Sequence, residues 1–255
     1  MSNDLIIVES TNNIGKIIFN NEPLNILTIE MMEQINKALD IFLEDESLKA
    51  VIFDHNGKAF SAGVDIGDHM GNKASKMIKE FHGIFRRLNK LKCPTIASIK
   101  GAALGGGCEI AIFCDIALTS DKAKFGQPEI KVGVFPPIAV LIFPQIIGYK
   151  KAFELIMLGE VIDANEAYRL GISNHVFPIE SYKQEFTKFI ESLDDISGII
   201  LQYTKKTFKK ALGFDFETKL DEIEEFYLKE LMSTNDANEG LQAFLEKRTP
   251  NWLNR

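Results

Sequence analysis

Cysteine is scarce in this 255-residue chain, with only Cys93, Cys108 and Cys114 present. The number is odd and none forms a CxxC pair. That excludes a disulfide scaffold and points to a reducing compartment. Positive charge is in the minority, 29 Lys and Arg against 36 Asp and Glu, for a formal net charge of −7. Most of the surface then repels a phosphate backbone, so general nucleic-acid binding is not the expected task. A local cation can still hold a single phosphate. Long apolar runs are missing too: the segment Ile138 to Ile147 is far too short to span a bilayer and contains Pro144. Met1 to Ser10 carries Asp4 and Glu9 and lacks the basic and apolar regions of a secretory signal. The expected location is the cytoplasm. The four histidines, His55, His69, His82 and His175, show no metal-ligand spacing. They are expected to be surface or packing residues, His69 with some reservation for its place after a glycine segment. There is no GxSxG elbow, no glycine run closed by Lys-Ser/Thr, and no solenoid repeat.

What is present is ordinary for a globular protein, 45% hydrophobic and 25% charged. A chain of this size builds a core without disulfide or metal staples. Leu5 to Val8 and Ile14 to Phe19 read as a hairpin turned at Asn12-Asn13. Thr28 caps a predicted helix in which Ile29, Met32, Ile35, Leu39 and Phe42 recur at helical spacing. Ala50 to Phe53 is a predicted strand. A helix from about Lys76 to Leu91 is stopped by Pro94, and Thr95 to Ile99 is the next strand. Ile116 to Thr119 and His175 to Phe177 are further strands; Lys150 to Leu158 and Ala164 to Leu170 are helices. From Tyr182 onward the pattern is helical without a strong strand. The reading is an α/β body over residues 1–180 followed by a helical region over 181–255. Lys205, Lys206, Lys209 and Lys210, and likewise Glu222, Glu224 and Glu225, are expected on solvated helix faces.

Two glycine-containing segments follow strands directly: Gly57 to Ile66, and Lys100 to Glu109 with its run Gly105-Gly106-Gly107. Glycines there let backbone N–H groups approach a ligand, and a helix N-terminus stabilises negative charge. Two such turns facing each other could form an oxyanion hole, although a glycine run is also what a plain tight turn requires. Glu109 stands among Leu104, Cys108, Ile110, Ala111, Ile112 and Phe113. A carboxylate in such surroundings must be paired, hydrogen-bonded or working. Glu129 follows Phe125-Gly126-Gln127-Pro128. Two glutamates at one apolar pocket can serve as an acid/base pair, because burial and mutual repulsion separate their pKa values. Structural ion-pair roles remain open on spacing alone.

The segments Phe60 to Ile66, Gly101 to Glu109 and Phe125 to Glu129, together with Glu154 to Gly159, Ala167 to Gly171 and Glu239 to Arg248, resemble the crotonase family, the enoyl-CoA hydratase/isomerase superfamily. The resemblance covers in effect the whole chain. It implies an α/β fold, a crotonase-like spiral of ββα units with a C-terminal helical trimerisation region, and a homotrimer or homohexamer. It implies an acyl-CoA substrate, with coenzyme A part of the substrate and no separate cofactor; the charge balance, the short apolar runs and the histidine spacing noted above leave nucleic-acid, membrane and metal partners unexpected. The backbone N–H groups of Ser61 and Gly106 would bind the thioester carbonyl and stabilise an enolate. Glu109 and Glu129 would be catalytic, holding and activating a water between them, one returning a proton to carbon. Coenzyme A contacts would fall on Ala59, Ser61, Asp65, Ile66, Phe244 and Lys247, the last well suited to a phosphate.

One departure is Pro137, in the loop Gly133 to Ala139, where the family usually has glycine. It removes a backbone N–H and is expected to change the surroundings of Glu129. The Pro-Pro loop and the segment Phe60 to His69 resemble a subgroup acting on cyclic dienoyl-CoA thioesters such as cyclohexa-1,5-diene-1-carbonyl-CoA in anaerobic aromatic degradation. The leading reading is therefore a hydratase of a double bond conjugated to a CoA thioester. The others are a straight-chain enoyl-CoA hydratase, a double-bond isomerase using Glu129, and a non-catalytic acyl-CoA or RNA binder.

Overall fold

The computed structural model describes residues 4–255. A hairpin opens the chain, β1 (Ile6–Thr11) and β2 (Ile14–Phe19). Its two-residue turn holds Asn12 and Asn13 at φ 52° and 62°. Both are left-handed, as the turn that matches strand twist requires. Helix α1 (Ile29–Glu44) follows, and Thr28 accepts from the Met31 N–H at 3.2 Å as its cap. The expected Ile35, Leu39 and Phe42 are buried on its inner face.

Three turns of one pattern come next. Each gives a longer strand, then a three-residue strand, then a helix or helical turn. The first is β3 (Ala50–His55), β4 (Ala59–Ser61) and α2 (Lys73–Lys90). The second is β5 (Thr95–Ile99), β6 (Ala102–Leu104) and α3 (Gly106–Phe113). The third is β7 (Ile116–Ser120), β8 (Lys124–Gly126), a 3-10 turn at Pro128–Val132 and α4 (Pro137–Ile147). The chain continues through α5 (Tyr149–Leu158), β9 (Val161–Asp163), α6 (Ala164–Leu170) and β10 (His175–Phe177). It is then helical: α7 (Tyr182–Glu191), α8 (Gly198–Leu212), α9 (Phe216–Lys229) and α10 (Asn235–Leu245).

The longer strands form one sheet in the order β1-β2-β3-β5-β7-β10, parallel from β2 onward. The short strands form a second sheet, β4-β6-β8-β9, in which β4, β6 and β8 are parallel neighbours. This is the spiral of ββα units. Its consequence is local: the C-terminal ends of β4, β6 and β8 lie side by side. The segments that leave them are Ala62-Gly63-Val64, Gly105-Gly106 and Gln127-Pro128-Glu129, the same segments that stood out in the sequence.

Three of these findings differ from expectation. The short sheet was not foreseen. The apolar stretch after the Pro-Pro pair is a helix, because Pro137 takes its first position, where a missing N–H costs nothing. The lysine and glutamate faces are only partly solvated. Lys205 is buried, its Nζ 2.7 Å from Asp115 Oδ2 and 3.0 Å from the Cys93 carbonyl. Glu224 pairs with His82 and Arg86.

The C-terminal helices pack on the same core as the body. Phe81, Phe85, Phe113 and Phe216 form a chain of rings 5.0, 5.2 and 4.9 Å apart, tying α2 and α3 to α9. Each such pair contributes about 1 kcal/mol beyond its area. The three cysteines are free and buried. Among the described residues no helix is long and apolar enough to cross a membrane, and no cluster of His, Cys, Asp and Glu could hold a metal.

Candidate active site

The ends of β4, β6 and β8 open on a cavity of 580 Å³. Its walls are mostly apolar, from α2 (Met77, Ile78, Phe81), the segment before α4 (Val134, Phe135) and the C-terminal helices (Phe244, Leu245). Asp65, His69, Glu109, Glu129, Lys131 and Tyr227 are the charged and polar side chains on it.

Glu109 lies in the first turn of α3 and is 2% exposed. Its Oε1 accepts from the N–H groups of Ile138 at 2.8 Å and Ala139 at 2.9 Å. Those are first-turn donors of α4, free of intrahelical partners, so a helix N-terminus is aimed at the carboxyl. Burial nonetheless pushes its pKa up to about 7.

Glu129 sits in the 3-10 turn and is half-buried, opening on the cavity while protein walls it elsewhere. Its pKa is raised well above the ordinary carboxylate value, first by burial and then by the charge of Glu109. The buried Gln127 amide nitrogen, in the orientation that satisfies it, lies 3.2 Å from each Glu129 oxygen. A Cβ on Gly105 would stand 2.6 Å from Glu129 Oε1, so only glycine leaves room for the carboxylate, and its φ of +50° suits glycine as well. Gly106 is equally constrained, since a Cβ there would meet Val64 Cγ2 at 2.8 Å and Phe81 Cζ at 2.9 Å.

The two glycine turns touch: a Cβ on Gly63 would lie 3.8 Å from the Gly106 nitrogen. Gly106 is the first residue of α3, and its N–H has no intrahelical partner. The second donor is not the expected Ser61. Ser61 is the fully buried last residue of β4, opposite Ala103, and does not line the cavity. Its hydroxyl instead accepts from the Gly63 N–H at 3.1 Å. Val64 is better placed. Leu27 donates to the Gly63 carbonyl and accepts from the Asp65 N–H, so the bridge passes over Val64 and leaves its N–H without a backbone partner among the described residues. The Gly63 turn at φ +109° sets this direction, and no spacing in the sequence reveals it.

The other expected contacts divide. Asp65, Ile66 and Phe244 line the cavity. The Asp65 carboxylate is used internally, accepting from the Asp68 N–H to cap the turn Ile66–His69. Ala59 is buried in β4, away from the cavity. Lys247 lies just past α10, outside the lining; the cation on the cavity is Lys131. Tyr227 and Lys131 were not foreseen, and no motif marks them. Pro137 acts differently from expectation. The helix it begins supplies donors to Glu109 rather than Glu129, and those donors are the next two residues, so Pro137 removes neither.

A second cavity, of 620 Å³, lies between the end of α2 and α8 and is lined by Lys90, Lys92, Lys205, Lys206, Lys209 and Lys210. Several of these cations are already engaged, Lys92 by Glu46, Lys205 by Asp115 and Lys209 by Asn89. No carboxylate pair faces it.

A raised carboxyl pair, two free N–H groups and an apolar chamber together suit addition to, or proton transfer at, a carbon next to an activated carbonyl. The comparisons agree with this class. The enoyl-CoA hydratase/isomerase family model matches residues 9–255. The chain belongs to that family and is an enzyme of the lyase class. It is 35% identical to the cyclohexa-1,5-dienecarbonyl-CoA hydratase of Thauera aromatica, over 91% of this chain and 89% of that one. It is also 35% identical to a probable mitochondrial enoyl-CoA hydratase of Dictyostelium discoideum, over 97% and 90%. A crystal structure of an enoyl-CoA hydratase from Mycobacterium avium subsp. paratuberculosis superposes with a TM-score of 0.85 at 27% identity, over 98% of this chain and 99% of that one.

Proposed function

We propose that this cavity hydrates a carbon–carbon double bond conjugated to a CoA thioester, and that its substrate is a cyclic dienoyl-CoA. The observation that carries the reading is the placement of Glu109 and Glu129 on one cavity beside the N–H groups of Val64 and Gly106. The thioester oxygen would accept from those two N–H groups, which act on charge that develops as the enolate forms. The glutamates divide by environment. Glu109, with two N–H donors on one oxygen, is the better anion and draws a proton from the attacking water. Glu129, desolvated and facing the Glu109 charge, is the one that keeps its proton and delivers it to the α-carbon. The pair resets when the proton taken by Glu109 returns to Glu129. Lys131, and Lys247 beyond α10, would meet coenzyme A phosphates.

The cyclic substrate is supported by the Thauera aromatica relative and by broad, stiff walls formed by Phe81, Phe135 and Tyr227. A homotrimer or homohexamer is supported by the exposed apolar face of α8, where Ile199, Ile200, Tyr203, Phe208 and Leu212 are each more than half exposed.

The test is mass spectrometry of products made in heavy-oxygen water from crotonyl-CoA, a 3-enoyl-CoA and cyclohexa-1,5-diene-1-carbonyl-CoA. A labelled hydroxyacyl product from the cyclic thioester is expected. Label from crotonyl-CoA alone would sink the cyclic assignment. An unlabelled product of unchanged mass would make the enzyme an isomerase.

A further inference from the structure

Helix α9 carries acidic residues at Glu217, Asp221 and Glu224, one face at helical spacing. Arg86 on α2 binds all three, at 2.8, 2.7 and 3.1 Å. His82 Nδ1 lies 3.0 Å from the same Glu224 carboxylate, and the Asn89 amide donates to Glu217 at 3.2 Å. Five contacts from one helix thus fix the rotation of α9 about its axis. The adjacent face, about a quarter turn away, carries Phe216, Leu220 and Tyr227 and is thereby turned inward.

Tyr227 is 1% exposed, and its ring meets Phe135 edge-on at 5.3 Å. A tyrosine buried to this extent normally gives its hydroxyl a protein partner. Tyr227 has none among the described residues. Nor is its oxygen sealed among the buried polar atoms left without a partner, which are Asn36 Oδ1 and His82 Nε2. The hydroxyl therefore faces the cavity that Glu109 and Glu129 share. The phenol stays protonated: burial, then the charges of Glu129 and Glu109, hold its pKa far above the usual value. At working pH it is a neutral donor without a protein acceptor among the described residues.

The thioester oxygen is provided for elsewhere, by the N–H groups of Val64 and Gly106. The oxygen left to bind is the one that adds. We propose that the Tyr227 hydroxyl is a third polar contact of the reacting oxygen, donating a hydrogen bond to the water between the glutamates and to the hydroxyl group of the product. No bond to Tyr227 forms or breaks; the protons move through Glu109 and Glu129. The inference rests on the hydratase reading and assigns that site a residue which recognises the β-oxygen.

The test is Tyr227→Phe, which keeps the ring and its contact with Phe135. kcat for hydration is expected to fall roughly tenfold, the loss of one hydrogen bond to the reacting oxygen, with KM within about twofold. A second readout needs no turnover. Calorimetry compares acetoacetyl-CoA, which carries an oxygen on the β-carbon, with butyryl-CoA, which does not. The variant is expected to lose about tenfold in affinity for acetoacetyl-CoA and nothing for butyryl-CoA. An equal loss for both ligands, or none for either, overturns the assignment and makes Tyr227 a wall residue. A wild-type chain that hydrates no thioester sinks the hydratase reading, while the ratio of the two affinities still judges Tyr227.

Discussion

Replacing Glu109 with glutamine is predicted to stabilise the protein while disabling it. The unfolded chain releases the Glu109 proton near 4.5, whereas the folded chain holds it until about 7 because burial disfavours the anion. Between those values the folded state binds the extra proton, so stability falls as pH rises through this window. Below it the penalty is absent, and above it the penalty is complete. The gap corresponds to about 3 kcal/mol. Glutamine carries no charge, yet its carbonyl can still accept from the Ile138 and Ala139 N–H groups that now bind Oε1. Glu129 gains as well, since the charge beside it is gone. Glu109→Gln is therefore expected to melt about 6–12 °C above the wild type at pH 8 and close to it at pH 4.5. Its hydration rate should drop by at least about a hundredfold. The assay is a thermal melt of both proteins at the two pH values, with turnover measured alongside. A variant less stable than the wild type at pH 8, or shifted equally at both pH values, would refute the reasoning. The carboxyl would then be paid for by interactions that glutamine cannot reproduce.

Two further substitutions probe the frame around the pair. Gly105→Ala places a methyl group against the Glu129 carboxylate and puts alanine at a positive φ; kcat should fall by about a hundredfold, with circular dichroism showing the fold retained. An alanine enzyme of wild-type rate would mean that Glu129 is not held where the structure puts it. Lys205→Met leaves the Asp115 carboxylate without its cation and the Cys93 carbonyl without a donor. Denaturant unfolding should show a loss of about 2–4 kcal/mol, and an unchanged midpoint would show the buried pair to be neutral.

The large sheet was legible because its strands announce themselves. Thr95 to Ile99 and Ile116 to Ser120 are runs of β-formers buried between helices, and their neighbours follow from the order of the chain. The small sheet was not. Ala59–Ser61, Ala102–Leu104 and Lys124–Gly126 are three residues each and rich in alanine and glycine. Only pairing between distant segments makes them strands. Glu109 and Glu129 could be picked out because a carboxylate in apolar company demands a reason. Tyr227 could not, since a tyrosine on an amphipathic helix has the same pattern whether it faces core or cavity. The exchange of Ser61 for Val64 is of another kind. The sequence marks the glycine turn after β4, but which of its N–H groups points into the cavity depends on the dihedral angles of Gly63. The helix after Pro136-Pro137 was missed because two prolines read as a break, although one of them is also a preferred helix start.

The division of labour around the cavity separates two properties that many enzymes encode together. The reacting groups come from residues 63–129, on turns leaving adjacent strands of one small sheet and braced by the start of α4. Much of the far wall comes from Tyr227, Phe244 and Leu245, about a hundred residues later, on helices held by side-chain packing and the Arg86 ion pairs. A change at Phe244 or Leu245 can resize the chamber without touching the backbone that aims the glutamates or the hydroxyl of Tyr227. Such a scaffold can drift from one acyl group to another by single steps, each keeping a working catalyst. For an engineer, the end of α10 is the dial, and the glycine turns are the part to leave alone.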